Sequence, residues 1–204
     1  MQGESLAASQ DPAVAALEHA HAVAFRTGLG SGLFAPDHPH FTEKEVSAFA
    51  AQVLAKDKVA FLGTGIDAGL LSKLVEAGFK GASGSASGAS AATTTKYFGG
   101  EARAPSNSGP QTIFIGYGQT GASTGGLAAL AAHLNPSPAV KWSKGASSFA
   151  AALPTGTTAQ SVLLPYSDGT LFGLLVQGVT PGLAKDAAKV AVDCLLYTSD
   201  AADE

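Results

Sequence analysis

The chain has 204 residues, of which 46% are hydrophobic and 14% are charged. This composition excludes a disordered polyelectrolyte and is typical of a packed protein with one large domain or two small ones. A net charge of −4, from 12 basic and 16 acidic residues, argues against nucleic-acid binding, which needs a basic surface. The single cysteine, Cys194, excludes an internal disulfide and a zinc site of thiolates alone. No apolar stretch approaches the roughly 18 residues of a membrane span.

The first part of the sequence predicts three helices and one strand. Apolar residues recur at spacings of three and four over residues 11–26, which predicts an amphipathic helix. Thr42 and Glu45 have the spacing of a capping box, so a second helix should begin there. Residues 58–62 have the apolar character of a buried strand, and residues 70–78 form the helix expected after it.

The second part of the sequence begins after a segment of small residues. Residues 81–95 are almost entirely Gly, Ala, Ser and Thr, which predicts a linker. Beyond it the patterns predict a strand over 111–117, a helix over 126–134, a hairpin over 157–177 and a final helix over 184–192. Helices and hairpins segregate instead of alternating, which favours the α+β class over a doubly wound sheet.

One local motif, Gly63-Thr-Gly65, has the context of a nucleotide-binding turn. It follows a predicted strand and opens a helix, so its glycines would let a pyrophosphate approach the helix N-terminus. However, no acidic residue lies between Glu76 and Glu101, where the second strand of such a unit should end in one. A tight strand-to-helix turn is the better interpretation, and nucleotide binding through Gly63 and Gly65 stays an alternative.

The side chains that carry chemistry in other proteins have no catalytic spacing here. His19 and His21 point about 200° apart on a helix and cannot share a metal, and His21 lies on the apolar side. His38, His40 and His133 belong to no zinc-peptidase motif, and the sequence has neither a nucleophile elbow nor a phosphate-binding loop. The residues therefore predict no catalytic, cofactor-binding or metal-binding site, and no cofactor.

Six motifs between residues 8 and 193 together resemble one family, the pitrilysin-type peptidases and their inactive relatives. They are residues 17–26, 28–30, 33–37, 59–67, 96–103 and 166–173. The most specific are Lys-Tyr-Phe-Gly-Gly-Glu-Ala-Arg at 96–103, a strand in the family, and Tyr-Ser-Asp-Gly-Thr-Leu-Phe-Gly at 166–173, a turn. In the second of these, Thr170 replaces the family's glycine, which is a small departure.

The resemblance implies an α+β fold made of parts of two homologous peptidase-like domains, each an antiparallel-rich sheet with helices packed on one face. Residues 1–80 would be the C-terminal part of the first domain, 81–95 the linker, and 96–193 the N-terminal part of the second. Residues 194–204 read Cys-Leu-Leu-Tyr-Thr-Ser-Asp-Ala-Ala-Asp-Glu, which resembles the translation of a sequencing-library adapter, so we expect them to be an artefact.

Within the family, residues 138–148 resemble the core proteins of mitochondrial ubiquinol–cytochrome c reductase (complex III). Where the processing peptidase's α subunit carries a long glycine-rich loop, this chain has Leu-Asn-Pro-Ser-Pro-Ala-Val-Lys-Trp at 134–142. The resemblance implies a non-catalytic scaffold on the matrix side of the inner membrane. Its partners would be core protein 1 and other complex III subunits, in a homodimeric complex. The alternative enzyme is a subunit of a zinc-dependent processing peptidase.

The resemblance also implies that the chain is the middle of a longer subunit. Met1 would fall within the first domain, and Asp193 within the second. Both domains would then lack sheet partners. We therefore expect the isolated chain to expose apolar surface and to aggregate or bind hydrophobic dyes.

Overall fold

The structure is a computed structural model that describes residues 2–34, 41–54, 59–79, 94–105, 109–135 and 147–200. The described helices are α1 (Gln2–Gln10), α2 (Pro12–Phe25), α3 (Glu43–Val53), α4 (Ala68–Gly78), α5 (Gly125–Leu134), α6 (Ser148–Ala152) and α7 (Pro181–Asp200). A short 3-10 helix, Gly28–Gly30, follows α2. Contacts divide the chain into two compact units, one of residues 1–37 with 93–204 and the other of residues 38–92. Most of the predicted linker, 81–93, lies outside the described residues.

The larger unit is built on a three-stranded antiparallel sheet. Its strands are β1 (Gln111–Thr120), β2 (Thr157–Pro165) and β3 (Gly169–Gly178), in the spatial order β1-β3-β2. The hairpin of β2 and β3 and the strand β1 confirm the sequence prediction. The central strand β3 is buried along almost its whole length, because it has a strand on each side and helices above and below.

Helices cover both faces of this sheet. Phe172, Leu174 and Val176 of β3 pack with residues of α5, α6 and α7 into one buried cluster. Leu171, which points to the opposite face because strand side chains alternate, packs with Ala24 and Phe25 of α2. The α+β class is confirmed. The resemblance implied helices on one face of the sheet, and α2 adds a helical layer on the other.

The helix boundaries follow from local chemistry. The Asp11 carboxylate accepts the backbone N–H of Ala13 at 2.8 Å, with Pro12 in the first turn of α2. The predicted capping box is confirmed: Thr42 Oγ1 accepts the Glu45 N–H at 3.3 Å, and the Glu45 carboxylate accepts the Thr42 N–H at 2.8 Å. These bonds from Thr42 hold the pKa of the Glu45 carboxyl below its usual value.

Three local predictions differ from the structure. Residues 59–62 and 96–103 form no strand, because no described strand pairs with them and a strand needs a hydrogen-bonded partner. The last helix, α7, does not end near residue 193 but continues to Asp200, since residues 193–200 contain neither Gly nor Pro. Cys194 and Leu195 pack against the core cluster.

Candidate functional site

A cleft of about 1080 Å³ lies in the described part of the larger unit. Its walls are α2, residues 97–105 and the first half of β1. The charged or titratable side chains in the lining are His19, Tyr97, Glu101, Arg103 and Lys185. Glu101 and Arg103 form an ion pair with each other, and their side chains are 70% and 87% exposed. Such a pair in water contributes little binding energy for a ligand.

Two glycines shape the cleft wall opposite α2. Gly99 and Gly100 have φ angles of +70° and +141°, a backbone conformation that L side chains rarely adopt. Their conformation turns the chain so that the Phe98 N–H donates to the Ala24 carbonyl of α2 at 2.8 Å. The Arg26 guanidinium lies 4.5 Å from the centre of the Phe98 ring, a cation–π contact. These contacts attach residues 97–100 to the end of α2.

A polar cluster joins α2 to the turn between β2 and β3. His21 Nε2 lies 2.7 Å from the Tyr166 hydroxyl, and His21 Nδ1 lies 2.7 Å from the Leu17 carbonyl oxygen. The two rings meet edge to face with their centres 5.9 Å apart. Burial, and then the Glu18 carboxylate nearby, raise the pKa of the Tyr166 phenol above its usual value. Sequence periodicity placed His21 on the apolar side of its helix but gave no sign of Tyr166 as its partner.

The hydrogen bonds identify which nitrogen of the neutral His21 ring carries the proton. A carbonyl oxygen can only accept, so Nδ1 must carry the proton that it donates to Leu17. In the neutral ring Nε2 is then an acceptor, and Tyr166 donates its hydroxyl proton to it. The imidazole has both nitrogens engaged within the protein. It is therefore a structural histidine that ties two distant segments together.

The turn that carries Tyr166 is held by a second polar contact. Thr95 Oγ1 donates to the Asp168 carboxylate at 2.5 Å, and the Gly121 N–H donates to the Asp168 carbonyl at 2.9 Å. Tyr166 N–H donates to the Gly169 carbonyl at 2.8 Å and closes the turn. Asp168 thus stabilises the turn, as residues of its type do in tight turns.

The Gly63-Thr-Gly65 motif forms a turn, and side chains of the same segment occupy the space next to Gly63. A Cβ on Gly63 would meet Ile66 Cγ2 at 2.7 Å and Leu71 Cδ2 at 3.1 Å. The carboxylate of Asp67 caps α4 by accepting the Leu70 N–H at 3.0 Å. A pyrophosphate would need that same helix end, where an aspartate repels it. The geometry therefore favours the tight-turn interpretation over nucleotide binding.

Among the described residues, the other histidines singled out in the sequence form no metal-binding group. Within the described ranges, no three His, Cys, Asp or Glu side chains are grouped so that they could hold a metal ion. His19 lines the cleft and His133 lies in the last turn of α5, whereas His38 and His40 fall outside the described residues. None of the helices in the described part of the chain has the length and apolarity to cross a membrane.

The fold and the site define the class of this chain. It is an α+β protein in which the contacts beside the cleft and in the polar cluster connect distant segments of the same chain. No family model matches the chain. It is similar to cytochrome b-c1 complex subunit 2, mitochondrial, of Cryptococcus neoformans var. grubii, with 33% identity over 93% of this chain and 45% of that protein. The same subunit of Yarrowia lipolytica is 36% identical over 92% of this chain and 45% of its own length.

The corresponding subunit of Neurospora crassa is 34% identical over 89% of this chain and 42% of its own length. Over about nine tenths of its length, the chain is therefore similar to mitochondrial cytochrome b-c1 complex subunit 2, which is core protein 2 of complex III. This confirms the resemblance to the complex III core proteins, whereas the relation to the wider peptidase family stays a prediction. The chain spans less than half the length of these curated relatives.

Proposed function

We propose that this chain is part of a non-catalytic structural core subunit of mitochondrial complex III. The observation that carries the proposal is the 33–36% identity to cytochrome b-c1 complex subunit 2 over about nine tenths of the chain. The full subunit would lie on the matrix side of the inner membrane. It would pair with core protein 1 in a homodimeric complex and contribute to assembly by its surfaces.

The local geometry supports a scaffold more than an enzyme. The titratable groups of the polar cluster are engaged in holding α2 to the β2–β3 turn, with Nδ1 and Nε2 of His21 both hydrogen-bonded inside the protein. A general acid or base needs an atom free to exchange a proton with a substrate. A scaffold needs fixed relations between its segments, and the contacts of His21, Tyr166 and Asp168 provide them.

We also propose that residues 1–80 and 96–193 derive from two homologous peptidase-like domains joined by residues 81–95. The tail from Cys194 to Glu204 is an adapter-derived segment in this proposal. Sequencing the transcript on both sides of the region that encodes residues 1–193 tests both statements. The expected result is a coding sequence that continues on both sides and differs from residues 194–204 after Asp193.

The decisive experiment for the function uses the full-length protein in mitochondria of its own organism. A C-terminal affinity tag on that protein should purify core protein 1 together with the haem-containing subunits of complex III. Its depletion should lower ubiquinol–cytochrome c reductase activity together with the amount of assembled complex. A full-length protein that purifies apart from complex III and cleaves presequences in a zinc-dependent manner would instead establish the processing-peptidase alternative.

The nucleotide alternative has its own test. NAD at millimolar concentration should leave the thermal unfolding temperature of this chain unchanged, because Ile66, Leu71 and Asp67 occupy the space at the Gly63 turn. A rise that saturates with NAD concentration and disappears on substitution of Gly63 by a larger residue would support nucleotide binding.

A further inference from the structure

The end of α2 has an unusual backbone conformation. Arg26, which follows the last residue of the helix, has a φ angle of +60° and a ψ angle of −51°. Among the described residues it is the only one other than glycine with a positive φ angle. The Thr27 N–H donates to the Phe25 carbonyl at 2.7 Å, so these three residues form a γ-turn of the rare and strained type. Strain of this kind persists only where surrounding contacts maintain it.

Phe98 makes the contacts that accompany this strained end. Its N–H donates to the Ala24 carbonyl at 2.8 Å, and its ring lies under the Arg26 guanidinium, 4.5 Å from the ring centre. An α-helix that continued regularly would pair the Ala24 carbonyl with the N–H of the residue four positions later. Here the N–H of Phe98, which is distant in sequence, takes that place. The strained end of α2 therefore goes together with the attachment of residues 97–100.

The sequence provides a second, unstrained end for the same helix. Gly28 lies four residues after Ala24 and already has a φ angle of +64°. A glycine with positive φ directly after a helix is the common C-terminal cap, and its N–H donates to the carbonyl four residues earlier. Helical angles at Arg26 and Thr27 would put Gly28 in that position, with the Ala24 carbonyl as its acceptor. Since this end would avoid the strain, its absence beside Phe98 indicates that the two arrangements exclude each other.

We propose that the end of α2 is a two-state junction that attaches and releases one wall of the cleft. In the docked state, Phe98 donates to Ala24 and Arg26 is strained. In the capped state, Gly28 donates to Ala24 instead, the strain is lost, and residues 98–105 leave the helix. The Ala24 carbonyl is hydrogen-bonded in both states, so neither leaves it unsatisfied. Because residues 99–105 line the cleft, the exchange widens the cleft without unfolding the sheet.

The released segment has clear limits. Residues 101–105 are all exposed, and the ion pair between Glu101 and Arg103 lies within the segment and moves with it. On the N-terminal side the segment is bounded by Tyr97, whose ring packs edge to face on Phe25 with the ring centres 6.5 Å apart. Release therefore costs mainly the contacts of Phe98 and is offset by the strain that is lost. This motion lies within the larger unit and does not rest on the proposed role in complex III.

Residue-resolved amide hydrogen exchange of the whole chain tests the junction. The Phe98 amide reports on the docked state, because it exchanges only when its hydrogen bond to Ala24 is broken. It should exchange at least about tenfold faster than the Leu174 amide of the central strand, which opens only with the sheet. Equal protection of the two amides would mean that Phe98 leaves α2 only on unfolding of the sheet, and would overturn the proposal.

Two substitutions of Arg26 separate strain from the cation–π contact. Arg26→Ala and Arg26→Gly both remove the guanidinium, but glycine accepts the positive φ of the docked state and disfavours the helical angles of the capped state. The Phe98 amide should therefore exchange at least about fivefold more slowly in Arg26→Gly than in Arg26→Ala. Arg103→Ala is the control, because it removes an 87% exposed arginine of the same segment, and it should leave this exchange unchanged. Equal exchange in the two Arg26 variants, or faster exchange in Arg26→Gly, would refute the role of strain.

Phe98→Pro tests the capped state itself. Proline has no N–H, so this variant removes the donor of the docked state and leaves the Ala24 acceptor in place. The Gly28 amide should then exchange at least about fivefold more slowly than in the unsubstituted chain, because its N–H takes over the Ala24 carbonyl. Unchanged or faster exchange at Gly28 would show that the capped state does not form. If Phe98→Pro fails to fold, the comparison of the two Arg26 variants decides the question by itself.

Discussion

The hydrogen bond between His21 and Tyr166 offers the sharpest test of how the chain is held together. It joins residues 145 positions apart at a distance of 2.7 Å, and both side chains are partly buried. Tyr166→Phe removes the hydroxyl but keeps the edge-to-face ring contact, so it isolates the hydrogen bond from the packing. A hydrogen bond of this kind contributes about 1 kcal/mol to the free energy of unfolding.

A double-mutant cycle measures that contribution. His21→Ala should cost more than Tyr166→Phe, because it also removes the bond to the Leu17 carbonyl and the ring contact with Phe25. The coupling free energy between the two substitutions should be about 1 kcal/mol, determined by urea unfolding of the full chain. In a chain of this size 1 kcal/mol corresponds to about 2–4 °C in the unfolding temperature.

Tyr117→Phe provides the control, since Tyr117 is 51% exposed on β1. It should change the free energy of unfolding by less than about 0.5 kcal/mol. The proposed role of the pair would be refuted by strictly additive effects of His21→Ala and Tyr166→Phe. It would also be refuted if Tyr117→Phe cost as much as Tyr166→Phe.

Three further predictions concern the same unit. Because the pKa of Tyr166 is raised in the folded protein, its phenol contributes its full stabilisation below about pH 10. That stabilisation is lost as the pH rises through the folded-state pKa. Tyr166→Phe should therefore weaken the fall of the free energy of unfolding at alkaline pH. Gly173→Ala should cost about 1–3 kcal/mol in a denaturant titration, because its Cβ would press on the Ile115 carbonyl oxygen and lie 2.9 Å from Gly116 Cα. A stable Gly173→Ala protein would contradict the close packing of β1 on β3. Ser161→Ala should raise the free energy of unfolding by about 1 kcal/mol, since the buried Ser161 hydroxyl has no hydrogen-bond partner among the described residues; a loss of stability would reveal a partner for it.

Local sequence patterns predicted many of the described helices and strands, in both units. The helix over 11–26, the strand from 111 and the hairpin of β2 and β3 appear where the periodicity and the turn residues indicated them. The capping box at Thr42 and the helix after Asp67 are also present. These features depend on residues within a few positions of one another, so the sequence alone is sufficient to specify them.

The predictions that failed depend on distant partners. Residues 59–62 and 96–103 have strand-like sequences, but an isolated strand cannot satisfy its backbone groups without a neighbour. The end of α7 was also misplaced, because residues 193–200 carry no signal that stops a helix and part of them packs on the core. In each case the local sequence gives only a preference for helix or strand, and contacts with distant segments determine which structure forms.

The candidate site shows the same division. The sequence placed His21 on the apolar side of its helix and excluded a metal site shared with His19, because both conclusions follow from helical geometry. Its pairing with Tyr166 could not be read from the sequence, since 145 residues separate the two and no periodicity connects them. The tertiary structure was also needed to show that Ile66 and Leu71 fill the space beside Gly63 that a nucleotide would occupy.

The amino-acid sequence by itself determined the α+β class, the local helices and hairpin, and the relationship to complex III core proteins. These properties depend on short sequence patterns and motifs that can be recognised without knowing the tertiary contacts. Only the tertiary structure decided that α2 covers the second face of the sheet and that His21 is tied to the Tyr166 turn. It also revealed that the apolar side chains of residues 41–79 remain exposed. Burial and long-range pairing depend on what the rest of the polypeptide places beside a segment, and no local pattern contains that information.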